Sequence, residues 1–448
     1  MEPMESTKSE KTLPGIAYLV GSLSQFAIGL HSPFLNTYLV DMGANYAELG
    51  AFRSVGNVAP TILQPAWGAI SDKYGKRKPF VAFGTVTGFM MVFLFFFAAT
   101  PLEMILLYGI QSILLSIQIP TWQALLSELM DESNRGKELG RLALATNAAS
   151  VAATTITGFL AVMPAILPHL RTVFGIYGNI IFPTAEAWRE AYYLPFLLTA
   201  ILGIIASILS LRINEKEPDI KEKREFPPIL KLLSHPGMFR KFCFISVFYS
   251  FAMAMAWPYF TVVQRVWLEN TILEIAIASV IMSACIMISS VPFGKFSDKI
   301  GRKQLIMIGR GTLFLVPLMY AFADSVIIIY IANAIAGLCV GASFNTIIAY
   351  IYDISPEEER SSHLAVFNTF TGIIFLGGSL IAGLVGEALT PIIGEYMAVF
   401  AMLLASSILR IIGSLFYWII KEPREYSSDI RTEVRAFLYR RRLDTETV

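Results

Sequence analysis

Long apolar runs recur along the whole chain, separated by short polar stretches. Twelve of them stand out, near 14–40, 46–70, 79–99, 102–127, 140–164, 191–212, 242–264, 272–293, 304–323, 325–352, 363–387 and 396–420. A helix of about 20 residues crosses a hydrocarbon core of about 30 Å, and each of these runs is long enough to do so. Strands of a membrane barrel would alternate polar and apolar residues over about ten positions. Runs such as Met90–Ala99 and Val326–Ala334 do not alternate, so the pattern predicts an all-α membrane protein. The first twelve residues are polar and mixed in charge, unlike a signal peptide, which predicts that the first span is retained.

The polar stretches repeat. Gly68-Ala-Ile-Ser-Asp72-Lys-Tyr-Gly75-Lys76-Arg77-Lys78 follows span two, and Gly294-Lys-Phe-Ser-Asp298-Lys-Ile-Gly301-Arg302-Lys303 follows span eight, at an offset of 226. Glu128 and Arg135 after span four match Asp353 and Arg360 after span ten at an offset of 225, and Pro33 and Pro258 share it. A repeat of that length predicts two similar halves. The boundaries read as a tail 1–13, a six-helix bundle 14–212, a charged linker 213–241, a second six-helix bundle 242–420 and a tail 421–448.

The Gly-x-x-x-Asp-Lys-x-Gly-Lys-Arg-Lys loop and its degenerate second copy resemble the most diagnostic motif of the major facilitator superfamily. Trp188-Arg189 before span six and Arg135-Gly136 after span four are also similar to that family. The resemblance covers about residues 14–420. It implies twelve transmembrane helices in two pseudo-symmetric six-helix bundles around a central cavity, working by alternating access.

Elementary physics gives the loops a role of their own. Gly75 and Gly301 permit tight reversals. Asp72 and Asp298 sit where a carboxylate can cap the N-terminus of a neighbouring helix. Lys76, Arg77, Arg302 and Lys303 can pair with Glu128, Asp131 or Asp353, forming ion pairs that make and break between states. We therefore read Gly68, Asp72, Gly75, Lys76, Arg77, Glu128, Arg135, Gly294, Asp298, Gly301, Arg302, Lys303, Asp353 and Arg360 as a cytoplasmic gating latch. The competing reading is that the basic residues only set topology.

Polar residues inside spans are costly and tend to face cavities or other helices. Several share a helical face. Span one carries Gln25, Ser32 and Asn36; span two Arg53, Asn57 and Gln64; span four Gln111, Gln118 and Trp122; span seven Ser250, Trp257 and Thr261. As a set they predict a substrate cavity, although any one of them can equally be glue between helices. Amides in one half and hydroxyls with rings in the other suit a neutral or weakly charged solute, sugar-like or amphiphilic. His31 is the candidate proton site, because no Asp or Glu lies near the middle of a span. A packing histidine is the alternative. Arg410 and Arg310 are assigned to packing or snorkelling.

Charge and composition narrow the class. Charged residues make up 15% of the 448, and mean hydropathy is +0.60, which suits lipid rather than water. The balance of 35 basic against 34 acidic residues gives no reason to expect nucleic acid. Basic residues concentrate in the segments that would face the cytoplasm if both termini do, which predicts a multi-pass protein of the cell membrane in that orientation. The three cysteines lie inside spans and the four histidines are scattered, so no metal, cofactor or enzyme signature is read. There is no phosphate-binding Gly-x-x-x-x-Gly-Lys-Ser/Thr sequence for ATP drive.

The expected function is secondary active transport of a small organic solute by a functional monomer in the lipid bilayer, with protons or another ion as candidate coupling partner. Polyspecific drug or metabolite efflux is the alternative within transport. Proton-driven exporters of the family usually carry a Gly-Pro motif in span five, absent from Asn147–Gly158, and an Arg in span four, where Leu107 stands. A solute receptor or sensor that does not transport is the alternative of another class.

Overall fold

The computed structural model describes residues 13–130, 135–166, 187–215 and 237–423. Within helices, the side chains of Asn57, Asp72 and Arg135 lie outside the described set, and so does Asp131. Among the described residues every regular element is helical. Ten helices are long and apolar enough to cross a membrane. In chain order we number α1 (Gly15–His31), α2 (Leu35–Asp41), α3 (Tyr46–Tyr74), α4 (Lys78–Leu94), α5 (Pro101–Leu129), α6 (Arg135–Ile166) and α7 (Glu190–Leu211). The second half has α8 (Met238–Met255), α9 (Trp257–Val262), α10 (Ile272–Ile300), α11 (Arg302–Thr312), α12 (Leu315–Ala321), α13 (Val326–Ile354), α14 (Arg360–Ile393) and α15 (Glu395–Phe416).

Helix starts follow from local chemistry. Thr100 accepts from the Glu103 N–H while the Glu103 carboxylate takes the Ala99 N–H at the head of α5. Asn45 with Glu48 and Thr271 with Glu274 form reciprocal capping boxes at the heads of α3 and α10. Those two boxes share the offset of 226 seen in the loops, so the repeat reaches the helix caps. Exposed apolar side chains run down one face of α5 at helical spacing (Leu102, Leu106, Ile110, Ile113). A stripe of this size is at home in lipid and would be a liability in water.

Three predicted spans are broken. The first is split between α1 and α2 by a tight turn at Ser32–Phe34, the seventh at Ala256 between α8 and α9, and the ninth between α11 and α12. Pro33 lies within the first turn, and Pro258 and Pro317 sit just beyond the other two breaks. Each lacks the N–H that would bond the carbonyl four residues earlier.

Contacts divide the chain into two compact units. One holds Met1–Ala44, Val55–Lys223 and Thr271–Ala276; the other holds Asn45–Ser54, Arg224–Asn270 and Ile277–Val448. In the first, α1 packs on α6 and α7, and α4 on α5 and α7; in the second, α8 packs on α14 and α15, and α11 on α13. The exchanged segments are close-packed. Gly158 approaches Ala276 in the first unit, and Gly50 approaches the Ser379 carbonyl and Gly383 in the second. Tyr46 gives its N–H to Glu387 (3.1 Å) and its hydroxyl to Glu395 (3.0 Å) within the second unit.

Candidate functional site

The duplicated loops build the same polar junction twice. After α3, Gly75 adopts a φ of 63°, and after α10 Gly301 adopts 107°, backbone that favours glycine. The reversal delivers an arginine to the start of the next helix. Arg77 gives Nε to Glu128 (3.3 Å) and Nη1 to Ser71 (2.8 Å). Arg302 gives Nε to Asp353 (3.2 Å), Nη1 to Ser297 (2.6 Å) and Nη2 to Asp298 (2.7 Å). The Arg302 pair is the more enclosed: Asp353 is 11% exposed against 35% for Glu128.

Two details differ from the sequence reading. Motif alignment sets Lys76 against Arg302, whereas the geometry makes Arg77 the equivalent of Arg302. The first loop carries one extra residue, Lys76, which is exposed. The caps also come from elsewhere. Asp298 bonds the Arg302 side chain, and the backbone N–H groups of Arg302 and Lys303 go to Glu422 (3.3 and 2.6 Å). In the first half, the N–H of Arg77 goes to Glu215. A carboxylate arriving from the end of each half thus sits on the N-terminus of α11 or α4, where the dipole favours it. Lys303 Nζ bonds the Trp418 carbonyl and Arg360 pairs with Glu357. Gly68 and Gly294 have room for a Cβ.

Deeper in each half the repeat continues through the breaks. Pro33 frees the Gly29 carbonyl, and Thr154 Oγ1 donates to it at 3.1 Å. Pro258 frees the Ala254 carbonyl, and Ser379 Oγ donates to it at 3.3 Å. Donor, acceptor and proline all keep the offset of 225 from their counterparts. Thr199 and Ser406 likewise bond the Ala27 and Ala252 carbonyls. Pro317 has no partner in the first half, where Val92 stands. There Arg410 Nη1 reaches the Leu313 carbonyl (3.0 Å), and Nη2 reaches the Met253 carbonyl beside the α8 break (3.1 Å). Arg410 is 2% exposed. Arg310 lies over the Tyr249 ring, 4.6 Å from its centroid, while Tyr249 bonds the Arg310 carbonyl. Packing or snorkelling was the expectation for both arginines, and Arg410 clips two helix breaks together.

The expected cavity residues fall into distinct environments. His31 is buried. Its Nδ1 lies 2.7 Å from the Ala27 carbonyl, which only accepts, so that nitrogen carries the proton. Nε2 lies 3.1 Å from Gln111 Nε2, whose amide can donate to it. Gln118 bonds Ser24 (3.3 Å). Trp122 is half-buried and packs beside Leu125, Leu126 and Leu129. Asn36, Ser250 and Thr261 are buried, Arg53 and Gln64 are half-buried, and Gln25 and Ser32 are exposed. Trp257 stacks on Phe375 at 4.8 Å. His31, Gln111 and the α1 break therefore come together. Asn57, Asp72 and Arg135 lie outside the described side chains.

Sequence reasoning missed Glu215, Glu422, Thr154 and Ser379. The register of the repeat would have found the last two. It would have missed the carboxylates, whose offset is 207 because the 165–190 segment lengthens the first half.

The family model of the Major Facilitator Superfamily matches residues 17–267 and 243–443. The chain belongs to the major facilitator superfamily. It is 25% identical over 414 residues to an uncharacterized MFS-type transporter of Methanocaldococcus jannaschii, covering 89% of this chain and 96% of that one. It is 23% identical to the multi-drug resistance efflux pump PmrA of Streptococcus pneumoniae, covering 86% and 90%. Among solved structures, a point mutant of the nucleoside transporter NupG superposes with a TM-score of 0.72 at 15% identity, covering 90% of this chain and all of that one. The protein is thus a multi-pass membrane transporter with the twelve-helix superfamily fold, and not an enzyme.

Proposed function

We propose that this transporter is a secondary active carrier. It moves a small organic solute, neutral or weakly charged and sugar-like or amphiphilic, by alternating access of its two halves. The observation that carries the reading is the paired junction Arg77–Glu128 and Arg302–Asp353. Each is an ion pair at a glycine reversal, braced by a serine, and such pairs can part and re-form as a bundle rocks. The proline breaks in α1–α2 and α8–α9 supply bending points, with the binding region expected near the midplane. Amides and hydroxyls such as Gln64, Gln111, Ser250 and Thr261 suit hydroxyl or carbonyl groups of a solute. The protein acts as a monomer in the cell membrane, with both termini cytoplasmic.

The full-length likeness to PmrA, named a multidrug efflux pump, favours polyspecific efflux as a second reading. If protons couple transport, His31 is the site. Protonating Nε2 would then require the Gln111 amide to turn its oxygen toward the ring.

Counterflow in proteoliposomes tests the set: labelled sugars, nucleosides and amphiphilic drugs, each with and without a pH gradient. Saturable counterflow of one solute class is the expected result. Saturable binding with no counterflow of any solute would leave a sensor instead. A transport rate indifferent to pH in both wild type and His31→Gln would remove His31 as the proton site.

A further inference from the structure

At the loop end of the second half, α8 and the turn after α15 enclose an open groove of about 390 Å³. It is lined by Arg240, Lys241, Phe244, Ile245 and Ile419. One end is cationic and the other apolar. Arg240 and Lys241 lie in the first turn of α8, which holds no acidic residue. Arg240 and Lys241 therefore give the rim of the groove a positive charge beside its apolar wall. Phe244, Trp418 and Ile419 are large apolar side chains left exposed, Trp418 at 68%. The turn that carries Trp418 and Ile419 is fixed in place. Lys303 Nζ bonds the Trp418 carbonyl and Tyr350 bonds the Lys421 carbonyl. Lys303 belongs to the motif loop, so the groove lies at the membrane boundary, where a tryptophan is well placed.

Among the described residues the first half does not repeat this cationic start. Its counterparts of Arg240 and Lys241 are Gly15 and Ile16. There the start of α1 is held by a carboxylate, with Glu138 accepting from the Leu13 N–H and the Tyr18 hydroxyl. The cationic groove is therefore a property of one half and not of the repeat.

We propose that this groove binds an anionic phospholipid of the leaflet facing the motif loops. The lipid phosphate sits between Arg240 and Lys241, and an acyl chain lies along Phe244 and Ile419. Basic pockets at this depth suit anionic headgroups, and the apolar wall selects a lipid over a free anion. The inference depends on the protein being embedded in a bilayer and not on which solute it carries.

The test is quenching of tryptophan fluorescence in the full-length protein by phosphatidylglycerol or phosphatidylcholine with brominated acyl chains, in mixed micelles. Half-quenching of the Trp418 component, defined by difference from Trp418→Phe, is expected at a roughly ten-fold lower mole fraction of phosphatidylglycerol. Arg240→Gln with Lys241→Gln should abolish the preference while leaving the melting temperature in phosphatidylcholine unchanged. Equal quenching by the two lipids overturns the site, and so does a preference that survives in the double variant. Displacement of the brominated lipid by millimolar inorganic phosphate would show a free-anion site and overturn the lipid assignment.

Discussion

The two halves solve one problem in the same way and a second in different ways. Both break their first helix at a proline, and both return a hydroxyl from the fifth helix to the freed carbonyl, Thr154 to Gly29 and Ser379 to Ala254. In the third and sixth helices they diverge. The first half packs Phe89 of α4 directly on Gly203 of α7. The second half has Arg410 in the helix that corresponds to α7, and a proline break at Pro317 for it to serve. A hinge satisfied by a hydroxyl in the helix pair is local and costs little, and Thr154 also keeps a bond to the Ser150 carbonyl of its own helix. A hinge satisfied by a buried guanidinium places a charge at membrane depth, which is tolerable because carbonyl ends with partial negative charge surround it. The shared devices are those a repeat can copy by register. The unshared one needs three helices to change together.

The largest expected contrast lies in the junctions. Removing the charge of an enclosed partner strands the other charge, at a cost of about 3–5 kcal/mol, while exposed pairs contribute on the order of 0.2–1 kcal/mol. Asp353→Asn should therefore lower the unfolding midpoint and the transport rate much more than Glu128→Gln. Asp298 stays on Arg302 and moderates the loss. Rates and SDS-unfolding midpoints of the two variants, side by side, measure the asymmetry. Equal effects, or a larger one at Glu128, would mean that enclosure does not set the strength of these locks.

A smaller effect separates the clip from simple charge. Arg410→Lys keeps a cation at the same depth, but an ammonium on a flexible stem cannot serve the Leu313 and Met253 carbonyls as a planar fork does. We expect a loss of about 1–2 kcal/mol in SDS unfolding, one charge-assisted hydrogen bond. In the other half, Gly203→Ala should destabilise by about 1–3 kcal/mol through overpacking on Phe89. Wild-type stability in Arg410→Lys would reduce the residue to a buried charge with no bridging role.

How much of this was legible in the sequence follows from what each feature depends on. The spans, the repeat and the loop glycines rest on composition and local backbone, and those are written in order along the chain. The Gly75 and Gly301 reversals were readable because a positive φ leaves glycine as its signature. The breaks were marked by Pro33, Pro258 and Pro317, but a proline in a membrane helix does not say whether the helix kinks or stops. The caps on α4 and α11 were hidden because Glu215 and Glu422 are brought there by folding from distant segments. Helical register reports a shared face and not what that face meets, and the half-buried Trp122 turns part of its ring to Leu125 and Leu126. His31 with Gln111 shows the same limit, since the partner lies on another helix far along the chain.

The smallest effect is also the sharpest test of the shared device. If Thr154 satisfies a carbonyl that Pro33 freed, its hydroxyl matters only while residue 33 lacks an N–H. Thr154→Val should cost about 1 kcal/mol in the wild type, with membrane hydrogen bonds at the lower end of that range. In a Pro33→Ala background the restored N–H can reach the Gly29 carbonyl four residues back, and the same substitution should cost close to nothing. The coupling energy of that double-mutant cycle then equals most of the single effect. Ser379→Ala and Pro258→Ala should reproduce the cycle in the second half with a similar coupling, because donor, acceptor and proline keep the same spacing. Additive effects in either half would break the correspondence there and reassign that hydroxyl to ordinary helix contact. Coupling in the first half alone would show that the 3.3 Å bond of Ser379, longer than the 3.1 Å bond of Thr154, has already let go of the hinge.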